Sequence, residues 1–175
     1  MQPVRRVVTG HRDGKAVFAS DSTVEPLTMA MLPQSAFFRL WGADHAPTFP
    51  DDGSPTAQPG YFPPVGGYRF GIFTVPPAGA KLPDGFDFAA GVAEVEAKLP
   101  GLLGHMETAN PGMHTTDTID FEVVLSGEVV LELDDGAETV LRRGDTVVQN
   151  GTRHRWSNRG TEPAVLAVFI CGAHR

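Results

Sequence analysis

Short runs of alternating apolar and polar residues, punctuated by glycine and proline, set the character of this chain. Residues 4–8 and 15–19 are β-rich, and Asp13-Gly14 between them favours the positive φ of a tight turn, so the chain is expected to open with a hairpin. Residues 35–41 read as another strand. The stretch 42–67 is so rich in Pro, Gly and Asp that no regular element survives in it. Structureless loops beyond about 15 residues inside a compact domain are commonly lids, binding loops or disordered segments, so this one is expected either to cover a site or to meet a partner subunit. Residues 68–75 resume strand character and stop at Pro76-Pro77, because proline cannot donate to a sheet ladder.

One helix is expected, over 86–99. There Phe88, Ala89, Val92, Val95 and Leu99 recur at helical spacing, and Pro100-Gly101 ends the run. Its apolar stripe is expected to pack against the outside of a sheet, as an insertion. After Pro111-Gly112 the chain becomes a series of strands at 116–125, 128–133, 138–141, 146–149, 154–157 and 164–171. The turns between them are signalled by Ser126-Gly127, Asp134-Asp135-Gly136, Arg143-Gly144-Asp145, Asn150-Gly151 and Asn158-Arg159-Gly160. That rhythm belongs to an all-β sandwich or barrel, not to alternating βαβ units.

Composition agrees with strands. Twenty glycines and fifteen prolines weaken helix interiors and favour turns. At 175 residues the chain has the length of one domain, able to fold without disulfide or metal staples. Fourteen basic against twenty-one acidic residues give a net charge of −7, and no basic run offers to neutralise a phosphate backbone, so nucleic acid is not an expected partner. The single cysteine, Cys171, lies in an apolar run and reads as a small buried hydrophobe, which fits a reducing cytoplasm. No signal-peptide pattern follows Arg5 and Arg6, and no segment approaches the roughly 20 apolar residues of a membrane span, so no membrane role is expected.

Candidate chemistry sits on the strands. His114, Thr116, Thr118 and Asp120 lie two apart, so an extended backbone places them on one face, while Ile119, Phe121, Val123 and Leu125 form an equally regular apolar row on the other. Periodicity leaves open whether the polar row is the solvated outside or lines a pocket. His154, Trp156 and Asn158 repeat the spacing on a second segment, after the Asn150-Gly151 turn.

Together these two segments resemble the paired motifs of the cupin superfamily. His114 takes the place of the first motif's opening histidine, Asp120 that of its acidic residue, and Gly127 that of its closing turn. Gly144-Asp145 matches the opening of the second motif, Gly151 its later turn, His154 its histidine and Asn158 its asparagine. Two departures matter. Thr116 stands where the family's second histidine would be, and Asp120 is one methylene shorter than the usual glutamate. Gln149 also replaces a typical proline.

The resemblance implies a single domain over 1–175, with 1–34 as an N-terminal hairpin arm and 35–175 as a jelly-roll barrel (a double-stranded β-helix) that holds the loop 42–67. It implies that His114, Asp120 and His154 converge inside. In the family's metal-binding members three histidines and a carboxylate hold iron, manganese, nickel, copper or zinc. Two imidazoles and one carboxylate are also the ligand set of open non-haem iron and catalytic zinc sites.

The expectation is therefore a small-molecule enzyme with a divalent transition metal on His114, Asp120 and His154. Thr116, Thr118 and Trp156 would line the substrate pocket. Dioxygenase, isomerase, decarboxylase and lyase chemistry on an oxygenated organic substrate all remain open. Without metal, Asp120 and His154 would serve as an acid-base pair. The alternative is a non-catalytic small-ligand binder. The other histidines, His105, His45, His11 and His174, read first as surface residues, with His105 in reach of the barrel mouth and His45 able to come in with the long loop as a lid residue. A homodimer is expected, with the N-terminal hairpin contributing an exposed edge.

Overall fold

The computed structural model describes all of residues 1–175 and contains eleven strands and one α-helix. β1 (Val4–Arg12) and β2 (Lys15–Val24) pair as the expected hairpin, longer at both strands than the sequence runs suggest. Its two-residue turn has φ of 51° at Asp13 and 72° at Gly14, the left-handed pair that a right-twisted hairpin needs. β3 (Leu27–Met29), β4 (Leu32–Ala43) and β5 (Tyr68–Val75) follow. β6 (Thr118–Ser126), β7 (Glu128–Glu132), β8 (Glu138–Arg142), β9 (Thr146–Gln149), β10 (Arg155–Ser157) and β11 (Ala164–Gly172) complete the set. Their starts and stops lie within two residues of the sequence pattern. β3 is the strand that pattern missed, being three residues long.

Two antiparallel sheets face each other as a barrel. One has six strands in the order β3-β4-β5-β11-β6-β9, the other three in the order β10-β7-β8. Between them Val75, Val124, Val129, Ala164 and Leu166 are buried, joined by Phe73, Leu141 and Trp156. The turn at Gly127 (φ 77°) sits so close to the start of β11 that a Cβ there would stand 2.8 Å from the Ala164 Cα, which explains the glycine.

α1 (Phe88–Lys98) differs from expectation in three ways. Asp87 caps it, its carboxylate accepting the Ala90 N–H at 3.0 Å, so Phe86 lies outside. Its buried face runs through Gly91, Val95 and Leu99, while Phe88 and Val92 are exposed. The helix also does not lie on the outside of the sheet. It packs beside edge strand β3, with Met29, Leu102, Tyr61 and Phe62, and closes one end of the barrel. Glu94 accepts the Ala30 N–H at 2.8 Å and Lys98 donates to the Thr28 carbonyl at 2.7 Å, which fixes that position. Periodicity identifies an apolar stripe, but which of its residues meet the core depends on what the helix docks against.

Residues 44–67 contain no helix or strand, though Val65 bridges to Gly172. They are nevertheless pinned. Arg39 donates to the carbonyls of Gln58 at 2.6 Å and Gly60 at 3.2 Å, and the buried Arg69 bonds Gly60 and Ala43 and pairs with Asp44. Two inward-facing arginines thus supply the backbone donors that a ladder would otherwise supply, and they hold the following Tyr61 and Phe62 against the barrel.

Candidate functional site

On β6 the alternation is unambiguous. Thr118, Asp120, Glu122 and Val124 are buried, and Phe121 and Leu125 are exposed. The polar row faces in and the apolar row faces out, the less common of the two arrangements that periodicity allowed. Inside lies a cavity of about 160 Å³ lined by His114, Asp120, Glu122 and His154 among Phe37, Tyr61, Phe62, Phe73, Leu102, Met106, Trp156, Val168 and Ile170. It therefore brings together His114, Asp120, His154 and Trp156. Thr116 and Thr118 lie elsewhere: their hydroxyls bond each other at 2.7 Å, and both line a separate opening with Asn150, Gly151 and Arg175. β6 begins at Thr118, so Thr116 precedes the strand, and its hydroxyl meets that of Thr118 instead of the cavity.

The two histidines are joined through their backbones. His114 and His154 exchange N–H···O bonds of 2.9 Å in both directions, which sets their ring centroids 4.1 Å apart at an interplanar angle of 51°. Each ring is oriented by a carbonyl, His114 Nδ1 by Gly112 at 3.1 Å and His154 Nδ1 by Thr152 at 2.9 Å. A carbonyl only accepts, so Nδ1 carries the proton. Burial lowers the pKa of both, with the neighbouring rings adding to it, and His154 is brought down to about 4. At neutral pH both imidazoles are uncharged and keep a free Nε2 lone pair.

Two carboxyls line the same cavity. Asp120 is 5 % and Glu122 7 % exposed, and Asp120 Oδ1 and Glu122 Oε2 have no hydrogen-bond partner. Burial pushes Asp120 up to about 6, with the Thr118 hydroxyl opposing, and burial followed by the Asp120 charge pushes Glu122 up to about 8. The same two acids, after burial, raise the Tyr61 hydroxyl. Near neutrality the pair thus holds about one proton between the two groups. Sequence reasoning missed Glu122, although the inward row simply continues from Asp120 by two. It also missed Tyr61 and Phe62, which come from a segment without periodicity.

The remaining motif residues build the walls. Asn158 donates from Nδ2 to the Val75 and Glu162 carbonyls at 3.0 and 2.8 Å and accepts the Gly160 N–H, tying the β10–β11 turn to β5. Asp145 accepts the Arg142 N–H at 2.8 Å and shapes the β8–β9 turn. His105 is held by the Thr115 carbonyl at 3.1 Å with its ring on Phe62, outside the cavity lining, and His11 and His45 bond loop carbonyls.

Residues 105–171, from His105 through both histidine segments to the end of β11, match the family model described as Cupin domain. Over that segment the barrel is similar to cupin domains. Among curated proteins, phomopsin biosynthesis cluster protein D of Diaporthe leptostromiformis is 55 % identical over 58 residues, 33 % of this chain and 31 % of that protein. The cupin-domain-containing oxidoreductase srdD of Neurospora crassa is 39 % identical over 70 residues, 36 % of each. The chain thus spans about a third of the length of the curated relatives it matches. Among solved structures, the cupin domain of Schizosaccharomyces pombe Cnp3 is similar at 10 % identity and a TM-score of 0.48, covering 98 % of this chain and 88 % of that one. No helix is long and apolar enough to cross a membrane.

Whether this site suits a metal is a question of donor chemistry. Two neutral imidazoles with free Nε2 atoms and a buried carboxylate oxygen without a partner are the right donor types for a divalent transition ion. No three of the histidine, cysteine and acidic side chains stand grouped as a ready ligand set. Binding would therefore draw Asp120 and the histidine pair together.

Proposed function

We propose that this protein is a small-molecule enzyme whose reaction takes place in the aromatic-walled cavity. The carrying observation is the pair of neutral, carbonyl-oriented histidines beside a buried carboxyl with a free oxygen, all lining one largely apolar cavity. Relatives named as oxidoreductases support an enzymatic reading. A divalent ion would be held by His114, His154 and Asp120, and when bound would supply Lewis acidity or a dioxygen site; iron, manganese, nickel and zinc all suit these donors.

The chain's own residues do the rest. Phe37, Phe73, Trp156 and the loop residues Tyr61 and Phe62 exclude water and take the apolar body of the substrate. Asp120, with a pKa of about 6, is suited to exchange a proton with substrate near neutral pH. His154, free of a proton at Nε2, acts as ligand or base. Oxygenation, isomerisation, decarboxylation and elimination are all within reach of such a site.

A second reading, a metal-free small-ligand binder, is favoured by one feature. Thr116, in the place of the family's second histidine, is turned to Thr118 and away from the cavity. Elemental analysis of protein purified without chelators separates the two. Near-stoichiometric metal, lost in both His114→Ala and His154→Ala, supports the enzyme. Folded, metal-free wild type that binds ligands without turnover supports the binder.

A further inference from the structure

Glu122 lines the cavity but is not among the donors assigned to a metal ion. β6 carries it inward two residues beyond Asp120. Both residues are more than nine-tenths buried, and Asp120 Oδ1 and Glu122 Oε2 are left without a hydrogen-bond partner. The donors around them are already committed. The Nδ1 atoms of His114 and His154 face the Gly112 and Thr152 carbonyls. The guanidinium groups of Arg39 and Arg69 bond loop carbonyls and Asp44, in a separate crevice that shares Phe37 and Tyr61 with the cavity. No lysine or arginine lines the cavity itself. A buried carboxyl with an unpaired oxygen and no counter-charge costs folding free energy, which leaves its partner to be supplied by a ligand.

The walls constrain the rest of that ligand. Phe73, Phe37, Tyr61 and Phe62 form a continuous chain of rings, with neighbouring centroids 6.5, 6.2 and 4.9 Å apart, and Trp156 meets His154 at 6.1 Å. Ring faces attract a cation and also cover an apolar body. An apolar cavity of roughly 150 Å³ takes a benzene ring. At about 160 Å³ this one admits one ring or a short alkyl chain with a polar head.

Resting on the assignment of the cavity to a small molecule, we propose that its ligand is a small organic amine, bound as the ammonium, which donates an N–H to Glu122 Oε2 and lays its apolar body against the rings. Glu122 is then the residue that determines specificity. An ammonium supplies in one group what the site lacks, a positive charge and donors. A carboxylate ligand would meet two acids with no basic side chain to offset them. A neutral alcohol of the same shape brings a donor without the charge and binds more weakly. His114, His154 and Asp120 keep the roles described above.

Titration calorimetry at neutral pH tests this on the full chain, dialysed against chelator so that no metal ion takes part. The probes are benzylamine, 2-phenylethylamine and hexylamine, each against the matched alcohol and carboxylate. At least one amine is expected to bind about tenfold or more tightly than its alcohol, the size of one charge-assisted hydrogen bond, and its carboxylate is expected not to bind. Glu122→Gln, of the same shape, is expected to bring the amine down to the affinity of the alcohol and to leave the alcohol unchanged. A purely structural role would weaken both alike. Glu122→Asp is expected to restore part of the preference, and the wild-type ranking stands as a test even where a variant does not fold. The proposal is overturned if no amine binds, if an alcohol or carboxylate binds as tightly, or if folded Glu122→Gln keeps the preference for amines. The enzymatic reading fails separately: amine-selective protein without metal or turnover keeps this proposal and loses that reading, and metal-loaded, active protein that shows no preference for amines once chelated does the reverse.

Discussion

The two faces of the six-stranded sheet invert the usual sorting of side chains. Along β6 and β11 the inward face carries Asp120 and Glu122 between Ile170 and Val168, and the outward face carries Phe121 and Phe169. A sheet that served stability alone would bury the phenylalanines and give the acids to water. Two buried carboxyls, each with an oxygen left unpaired, destabilise the fold, and so does a row of rings in water. The inner arrangement becomes favourable when a small molecule or ion binds there. The inner face still has to hold the fold together, and it does so at the end away from the acids, through Val124, Val129 and Leu166.

That division predicts unequal effects from neighbouring positions on one strand. Leu166 is fully buried in the cluster with Val75 and Val124, so Leu166→Ala leaves a cavity and should lower unfolding free energy by about 2–5 kcal/mol in denaturant titration. Three residues on, Phe169→Ala should cost under about 1 kcal/mol at concentrations where the chain is monomeric, despite deleting a larger side chain. Equal losses at the two positions would mean that the outer row supports the monomer's own fold.

The acids give the next effect. Glu122 in the folded chain keeps its proton up to about 8, whereas an unfolded glutamate releases it near 4.5. Between those values the folded state binds more protons than the unfolded, so this contribution is complete below about pH 4.5 and is lost as pH rises through 8. The sign at His154 is opposite: its folded pKa of about 4 lies below the ordinary 6.5, so its contribution is present above 6.5 and lost as pH falls through 4. Glu122→Gln, which cannot ionise, should match wild type near pH 5 and exceed it by about 2–4 kcal/mol near pH 9, measured on chelated protein. A constant difference across that range would show that Glu122 has a counter-charge in solution.

How much of this was legible beforehand follows from the range of each interaction. Strand positions from β4 onward, the hairpin turn at Asp13-Gly14 and the meeting of His114 with His154 follow from local alternation, turn chemistry and the resemblance to a known family. The direction in which the 114–120 row faces did not follow, because alternation has the same period whichever side is wet. Glu122 stood in plain continuation of that row, yet the motif stopped at Asp120. Tyr61 and Phe62 could not be read at all. Their place in the cavity wall depends on Arg39 and Arg69 gripping loop carbonyls about 20 and 9 residues away in the chain, a long-range contact with no periodic trace. The helix shows the same limit, since its period was visible but the identity of its buried side was not.

The smallest effect is the most discriminating between the faces. Phe121→Thr places a β-branched residue of high strand propensity on the outer row, directly between Phe169 and Val148. On a truly solvated position that exchange should change monomer stability by no more than about 0.5 kcal/mol, because the ring is already 44 % exposed and its loss opens no enclosed void. A loss well above that in denaturant titration would mean that the Phe121 ring packs on its own sheet as a core residue does.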